Sequence, residues 1–330
     1  MGKYDDAMYQ FLSDNERFAD LFNGVLFGGR QVLHAEALEG DSERYVLERP
    51  DDVQPVSLKK GAPPLKTENR FRDIKKRMKC GTGISVLAIE NQATIDYAMP
   101  WRIMQYDYLE YHQQIRTIEN RKRQRNKDGK KKRAGFETKF GEKDKLHPIY
   151  TLCLYHGTER WNGPRSLRDM MDCTGNEEFC EVLFHDYRMT LVCVEDLKDL
   201  SVFRTNLRLL LETLAARRDR NKMKELFKGR EFSNLSVETA RTIAIMTDNM
   251  RVLEKIEHNE KGEVNMCQAW DEIMEECKAE GMEQGIEQGI ERERVSSIRN
   301  LKANLKMTTE QAMKALNIPE NMFAYYLQLV

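Results

Sequence analysis

The segment that decides the fold is Ile84-Ser85-Val86-Leu87-Ala88-Ile89-Glu90-Asn91-Gln92, which is nearly continuously apolar until it ends in three polar residues. An apolar run of this length is typical of a central strand that is covered on both faces. The segment from Arg70 to Met78 precedes it, and Lys79-Cys80-Gly81-Thr82-Gly83 forms a glycine-rich turn between them. The two segments are therefore predicted to form a β-hairpin.

The end of this hairpin is the candidate chemical site. Side chains alternate faces along a strand, so Glu90 and Gln92 project from the same side, and the hairpin brings Asp73 beside them. Asp5, near the N-terminus, is the acidic residue best placed to complete the group. Two carboxylates and an amide oxygen suit Mg²⁺ or Mn²⁺. Such an ion polarises a scissile phosphate and generates hydroxide near neutral pH.

The flanking elements predict an α/β fold with one mixed sheet. Asp14 is expected to cap a helix that glycines 28 and 29 end, and a second helix is expected from about Met99 past Ile115. Strands are predicted over 148–155 and 187–194. The order helix, hairpin, helix, strand, helix, strand is typical of this class. Beyond about residue 200 the pattern is wholly helical, so the domains are predicted as 1–200 and 201–330.

Charge is distributed unevenly along the chain, although the formal net charge is only −1. Nine of the thirteen residues from Arg121 to Arg133 are Lys or Arg. This run lies in a basic insertion at about 116–145 and is predicted to form an exposed loop. A solvated loop and a contact with the DNA backbone remain equally good interpretations. The candidate DNA-binding residues of the run are Arg121, Lys122, Arg123, Arg125, Lys130, Lys131, Lys132 and Arg133.

Several classes of protein are disfavoured by composition. No apolar run approaches the length of a membrane span, and the N-terminus lacks the apolar stretch of a signal peptide. Seven dispersed cysteines argue against a disulfide framework and against a structural zinc site. We therefore expect a cytoplasmic protein with reduced thiols, no membrane contact and no small-molecule cofactor.

The C-terminal region carries a four-residue repeat in which glycine recurs at 281, 285 and 289. Glycine in a helix costs roughly 1 kcal/mol relative to alanine, but it lets another helix approach closely. The repeat therefore favours self-association, and a homodimer through the C-terminal helices is expected. The last segment, Thr308 to Leu329, is interpreted as a small helical cap rather than a DNA-reading helix-turn-helix.

Several stretches in order and spacing resemble the bacterial recombination-promoting nuclease (Rpn) family, also described as PD-(D/E)XK transposase-like. They include RFADLFNGVLFGG, LAIENQATIDYAMPWRIMQYDYLEY and PIYTLCLYHGTERWNGPRSLRDM. The resemblance spans nearly the whole chain. It implies a restriction-endonuclease-like core over about 1–200, followed by an all-helical C-terminal region.

The resemblance also implies roles for individual residues. Asp73 and Glu90 match the two metal-binding carboxylates, and Gln92 stands where the superfamily has a lysine that orients or activates water. Asp5 matches the acidic residue of the opening helix, although Tyr4 replaces the usual histidine. Arg102 and Tyr106 match an Arg and Tyr face of the helix that follows, which is assigned to DNA binding. Asp186 matches a later segment and has a supporting role.

The function expected from these residues is divalent-metal-dependent hydrolysis of DNA with low sequence specificity, linked to recombination, mobile elements or defence. The alternative is a non-catalytic DNA-binding or assembly protein that retains the nuclease fold, since Gln92 carries no charge. RNA as the substrate is a third, weaker reading.

Overall fold

A mixed five-stranded sheet forms the centre of the first of two compact units, Met1–Val264 and Asn265–Val330. The computed structural model describes residues 3–40, 73–80, 83–128, 139–257 and 262–330. The strands are β1 (Leu38–Gly40), β2 (Ile74–Cys80), β3 (Gly83–Gln92), β4 (Ile149–Tyr155) and β5 (Thr190–Cys193), in that spatial order. Strands β1, β2 and β3 pair antiparallel, whereas β3, β4 and β5 pair parallel. The predicted α/β class with one mixed sheet is therefore correct.

Eleven α-helices are present in the described ranges. Those of the first unit are α1 (Lys3–Leu12), α2 (Asn15–Phe27), α3 (Met99–Asp128), α4 (Glu177–Leu183), α5 (Leu207–Ala216), α6 (Arg220–Phe227), α7 (Val237–Met246) and α8 (Met250–Glu257). A two-stranded ribbon, β6 (Leu235–Ser236) and β7 (Glu263–Val264), closes this unit. The second unit contains α9 (Met266–Leu305), α10 (Thr309–Ala315) and α11 (Phe323–Leu329). The predicted change to a wholly helical pattern late in the chain holds apart from this ribbon.

The predicted hairpin is confirmed as the pair β2 and β3. Its register runs from Ile74 opposite Ile89 to Cys80 opposite Gly83. Residues 86–89 of β3 are buried on both faces of the sheet. The prediction of a central strand covered on both faces is therefore confirmed.

Helix α2 begins and ends where the sequence predicts. The Asp14 side chain accepts a hydrogen bond from the Arg17 backbone N–H at 3.0 Å, which satisfies a free donor at the helix start. Gly28 adopts a left-handed conformation with φ of 60°, and its N–H donates to the Asn23 carbonyl. Glycine adopts this conformation without steric cost, so it ends the helix.

The first unit continues to Val264, beyond the predicted boundary at residue 200. The Asp20 carboxylate, buried on α2, accepts hydrogen bonds from the backbone N–H groups of Arg204 and Thr205 at 2.8–3.0 Å. The Phe203 ring lies so close to Gly24 that a Cβ there would be 2.2 Å from a ring carbon. The segment after residue 200 therefore belongs to the same unit as the N-terminal helices.

Helix α3 starts at Met99, as predicted, but continues to Asp128. The prediction of a loop is therefore wrong for residues 121–128, because Arg, Lys and Gln are good helix formers and continue the helix. Residues 129–138 of the basic insertion lie outside the described residues.

Strand β5 is shorter than predicted, since it begins at Thr190 rather than Tyr187. Residues 187–189 pair instead with 165–167 through hydrogen bonds from Leu167 N to Tyr187 O and from Met189 N to Arg165 O. We call residues 165–189 the neck; residues 168–186 lie between its two paired ends. Strand β4 matches its predicted range closely.

The expectation that all thiols are reduced is wrong for one pair, since Cys173 and Cys180 form a disulfide. A turn with Gly175 at φ of 81° precedes α4 and brings their Cα atoms to 6.2 Å. The seven-residue separation carries no recognisable pairing signal in the sequence.

The end of the second unit is a small helical cap, as expected. Thr308 and Gln311 form a capping box at the start of α10. Ile298 of α9 is buried in one cluster with Ala312, Met313, Ile318 and Tyr326. Within the described ranges, no helix is both long enough and apolar enough to cross a membrane.

Candidate active site

The hairpin register brings Asp73 to the end of β3 that carries Glu90. Asp73 immediately precedes Ile74, which pairs with Ile89, so the next position along the register faces Glu90. Its carboxylate accepts a hydrogen bond from the Asn91 N–H at 2.7 Å. Glu90 is completely buried. Two carboxylates are therefore held beside each other at the carboxyl end of a central strand.

The electrostatics of Asp73 are unusual for a carboxylate. The pKa of Asp73 is raised from 3.8 to about 6, chiefly by burial and also by the negative charge of Asp5. The hydrogen bond from the Asn91 N–H and the positive charge of Arg102 act in the opposite direction. Asp73 is thus ionised at neutral pH but keeps its charge at an energetic cost.

Arg102, on the first turn of α3, is a cation close to these carboxylates. Its Nη2 lies 3.9 Å from Glu90 Oε2, which is an ion pair rather than a hydrogen bond. Its Nη1 donates to Asp96 Oδ2 at 2.6 Å. Burial disfavours its charge, but hydrogen bonds to Asp96 and Tyr106 and the charge of Glu90 raise its pKa above the usual value.

Tyr106 lies one helical turn beyond Arg102 and is only 4% exposed. Its hydroxyl forms a hydrogen bond with Arg102, and burial together with the charge of Glu90 raises its pKa. Arg102 and Tyr106 are predicted to bind DNA. The structure places both of them near the two carboxylates. Asp5, on α1, is close enough for its charge to act on both Asp73 and His156.

Gln92 occupies the last position of β3, and its carbonyl accepts a hydrogen bond from the His156 N–H at 3.0 Å. Burial of His156, together with the charge of Arg217, lowers the pKa of its imidazole to about 4. Its Nε2 and the side-chain amide of Asn91 are buried and have no hydrogen-bond partner among the described residues. A neutral polar layer therefore adjoins the carboxylates.

The donor set fits Mg²⁺ or Mn²⁺, since these ions are commonly held by one or two carboxylates and complete their shell with water and phosphate. Asp73 and Glu90 supply the two carboxylates. Among the described residues, no group of three or more His, Cys, Asp or Glu side chains is arranged to hold a metal ion. Asp73 and Glu90 are therefore the side chains that would hold such an ion.

The predicted DNA-binding cations are in two parts of the chain. Arg121, Arg123 and Arg125 are exposed at the end of α3, and Arg123 lies 3.7 Å from Glu119. Lys122 is half-buried and forms an ion pair with Asp144. Lys130, Lys131, Lys132 and Arg133 lie outside the described residues.

Two residues illustrate what the sequence missed and what it over-weighted. Asp96 was not selected, yet its carboxylate accepts from the Ala98 N–H at 2.8 Å, just before α3, and also accepts from Arg102. An aspartate shortly before a helix is a common signal of a helix start. Asp186 accepts from the Arg168 N–H at 2.9 Å and pairs with Arg188, so its contacts are within the neck of residues 165–189.

Comparison with known protein families finds one family model that matches the chain. A family model described as "Putative transposase, YhgA-like" matches residues 76–243, which include β3, α3, β4 and β5. No curated protein and no solved structure is significantly similar to the chain.

Proposed function

The chain belongs to the YhgA-like transposase family, the Rpn-like transposases of the PD-(D/E)XK type, and we propose that it hydrolyses DNA phosphodiester bonds with a divalent metal held by Asp73 and Glu90. DNA is the substrate class that a transposase family implies, and mobile-element-related DNA cleavage is its general activity. Metal dependence and low sequence specificity are our finer proposals. We also propose that the sheet and its flanking helices are a restriction-endonuclease-like core.

The observation that carries this proposal is the pairing of Asp73 with Glu90 across the hairpin. Asp73 is fixed by the Asn91 N–H at 2.7 Å, and Glu90 is completely buried at the same end of β3. Two neighbouring carboxylates, one completely buried and one half-buried, are costly unless a cation is available to them. Their proximity is therefore better explained by a bound metal than by stability.

The chain's own residues have distinct tasks in this scheme. A bound Mg²⁺ or Mn²⁺ supplies charge neutralisation and lowers the pKa of water. Asp73 and Glu90 would hold it, with Asp5 contributing negative charge nearby. Arg102 sits 3.9 Å from Glu90 and keeps its positive charge, so it stabilises negative charge on the phosphate. Gln92 orients water by hydrogen bonding, since its amide cannot accept a proton usefully.

The exposed cations at the end of α3 suit the flanking DNA backbone. Arg121, Arg123 and Arg125 project there, and the basic run continues to Arg133 in the sequence. Lys and Arg that neutralise phosphates make binding depend steeply on salt. Reversing the charge of Arg121 and Arg125 should reduce the salt slope of DNA binding, and an unchanged slope would exclude this contact.

The test is the cleavage of supercoiled plasmid by purified protein with Mg²⁺, Mn²⁺ or Ca²⁺. We expect nicking or linearisation that requires metal and disappears in Asp73→Ala and Glu90→Ala. Glu178→Ala, at an exposed carboxylate of α4, is the matched control and should cleave like the wild type. Cleavage that survives both site substitutions would refute the assignment of the site.

A second candidate is a non-catalytic DNA-binding or assembly protein that retains the nuclease fold. The observation that favours it is the ion pair of Arg102 with Glu90 beside an uncharged Gln92, because the guanidinium itself offsets the carboxylate charge. Calorimetric titration with Mn²⁺ separates the two. Binding that is lost in Asp73→Ala supports the nuclease, whereas folded protein that binds DNA but no metal supports the assembly role.

We further propose that the protein is a homodimer through its C-terminal helices. The middle of α9 is exposed all around within the described chain, including Met282, Ile286 and Ile290. A Cβ added at Gly281, Gly285 or Gly289 would meet nothing within 4 Å. Apolar side chains next to bare backbone suit a second helix. Analytical ultracentrifugation of the full chain, with and without Ile286→Glu, tests this dimer.

A further inference from the structure

A row of aromatic side chains that are exposed or half-buried follows one face of α3, beginning on the helical turn that also carries Arg102. Tyr108 is 60% exposed and Trp101 is 44% exposed. Tyr97, just before the helix, is 59% exposed, and its hydroxyl donates to Asn162 at 2.9 Å. His112 stacks on Tyr108 with ring centroids 5.9 Å apart. We call Tyr97, Trp101, Tyr108 and His112 the aromatic row.

The spacing puts these side chains on one line. At about 100° per residue, Trp101, Tyr108 and His112 fall within an arc of about 40° on α3, and about 16 Å separates the first from the last. Buried Tyr106 and Ile103 occupy the opposite face, which packs on the protein. Helix packing therefore accounts for Tyr106 but not for the aromatic row.

The aromatic row begins on the helical turn that carries Arg102 and continues toward exposed cations. Trp101 is adjacent in sequence to Arg102, whose guanidinium lies 3.9 Å from Glu90. Further along the same face are Arg116 and Arg123, both exposed, with Arg123 about 33 Å from Trp101 along the helix. Aromatic faces followed by cations match a polymer that alternates flat rings with phosphates.

We propose that the aromatic row is a base-stacking surface for an unpaired DNA strand that runs from the cleavage site along α3. Bases in a duplex are stacked on each other and present only their edges, whereas unpaired bases offer their faces to aromatic side chains. The substrate of the proposed nuclease is therefore DNA with a single-stranded segment next to the scissile bond. This inference rests on the proposed function for the position of the cut, but not for binding of the strand.

The experiment is binding of a fluorescently labelled single strand of about 12 nucleotides, within the site sizes typical of such proteins, to the full chain. Anisotropy is measured in EDTA, so that no cleavage takes place, and a duplex of equal length is compared. We expect the wild type to bind the single strand more tightly than the duplex. Trp101→Ala and Tyr108→Ala should each weaken single-strand binding roughly 5- to 100-fold.

Two controls separate stacking from other causes. Trp101→Phe keeps an aromatic face and should retain most of the affinity. Phe179→Ala removes an aromatic side chain on α4 that is 70% exposed, and should bind like the wild type. Trp161 is buried and Trp270 lies on α9, so the part of the tryptophan quenching by the single strand that is lost in Trp101→Phe measures the contact with Trp101.

The proposal is overturned if the duplex binds at least as tightly as the single strand, or if the alanine variants of the row bind like the wild type. It is also overturned if Phe179→Ala weakens binding as much as Trp101→Ala does. These results do not depend on catalysis. A protein that does not cleave plasmid can still lose single-strand binding when the aromatic row is substituted. A protein that does cleave can bind the single strand without using the row.

Discussion

Replacing Asp73 with asparagine should stabilise the folded protein at neutral pH while abolishing its proposed activity. Burial raises the pKa of Asp73 from 3.8 to about 6, so the ionised carboxylate destabilises the fold relative to the unfolded chain. A shift of about two pKa units corresponds to roughly 3 kcal/mol. Since the Asp73 side chain retains some solvent contact, we expect a gain of about 1–3 kcal/mol. The asparagine Oδ1 can still accept from the Asn91 N–H.

The sign of the effect determines its pH dependence. Below about pH 4 the wild-type carboxyl is protonated in both states, so wild type and Asp73→Asn should have equal stability. The difference should grow as the pH rises from about 4 to 6 and remain constant above that. For a unit of this size, we expect a rise in melting temperature of about 3–10 °C at pH 7.5 in EDTA.

The assay is thermal unfolding of both proteins from pH 4 to 8, without metal and with Mn²⁺. Metal should stabilise the wild type and leave Asp73→Asn unchanged. The electrostatic reasoning is refuted if Asp73→Asn melts below the wild type at pH 7.5 in EDTA, or if the difference between them does not vary with pH. A variant that Mn²⁺ stabilises as much as the wild type would refute the metal assignment instead.

Three further predictions concern packing. Glu110→Ala removes the carboxylate 3.4 Å from the buried Lys75 ammonium and should lower the free energy of unfolding by about 3–5 kcal/mol in urea titration; an effect below about 1 kcal/mol would contradict it. Gly285→Ala meets open space, so it should stabilise isolated α9 by up to about 1 kcal/mol but loosen a close-packed dimer in sedimentation. Gly24→Ala introduces a Cβ 2.2 Å from the Phe203 ring and should cost about 1–3 kcal/mol by thermal unfolding; an unchanged melting temperature would exclude the close packing.

Much of the sheet was predictable because its signals are local. The apolar run of β3, the glycine-rich turn and the Asp14 cap each act within a few residues of their own position. The hairpin register then placed Asp73 near Glu90 without any long-range information. The family match gives the chain's relationship but not the role of a single side chain.

The features that sequence reasoning missed depend on tertiary contacts. The role of Asp96 follows from the direction in which Arg102 points, which helical spacing alone does not define. Asn126 and Gly129 in the basic run predict a loop, whereas the first part of the run extends α3. Which aromatics of α3 are exposed depends on tertiary packing, since Tyr106 is buried whereas Trp101 is 44% exposed.

The contact between α2 and the segment after residue 200 has a consequence for synthesis on the ribosome. The Asp20 carboxylate cannot form its hydrogen bonds until Arg204 and Thr205 have been synthesised. Their N–H groups are more than 180 residues later in the chain. The space beside Gly24 likewise remains unfilled until Phe203 has left the ribosome. Translation proceeds at about 5–20 residues per second, so α2 is made roughly 10–40 seconds before its partners. During that interval the part of α2 around Asp20 and Gly24 lacks the segment that packs on it in the folded unit.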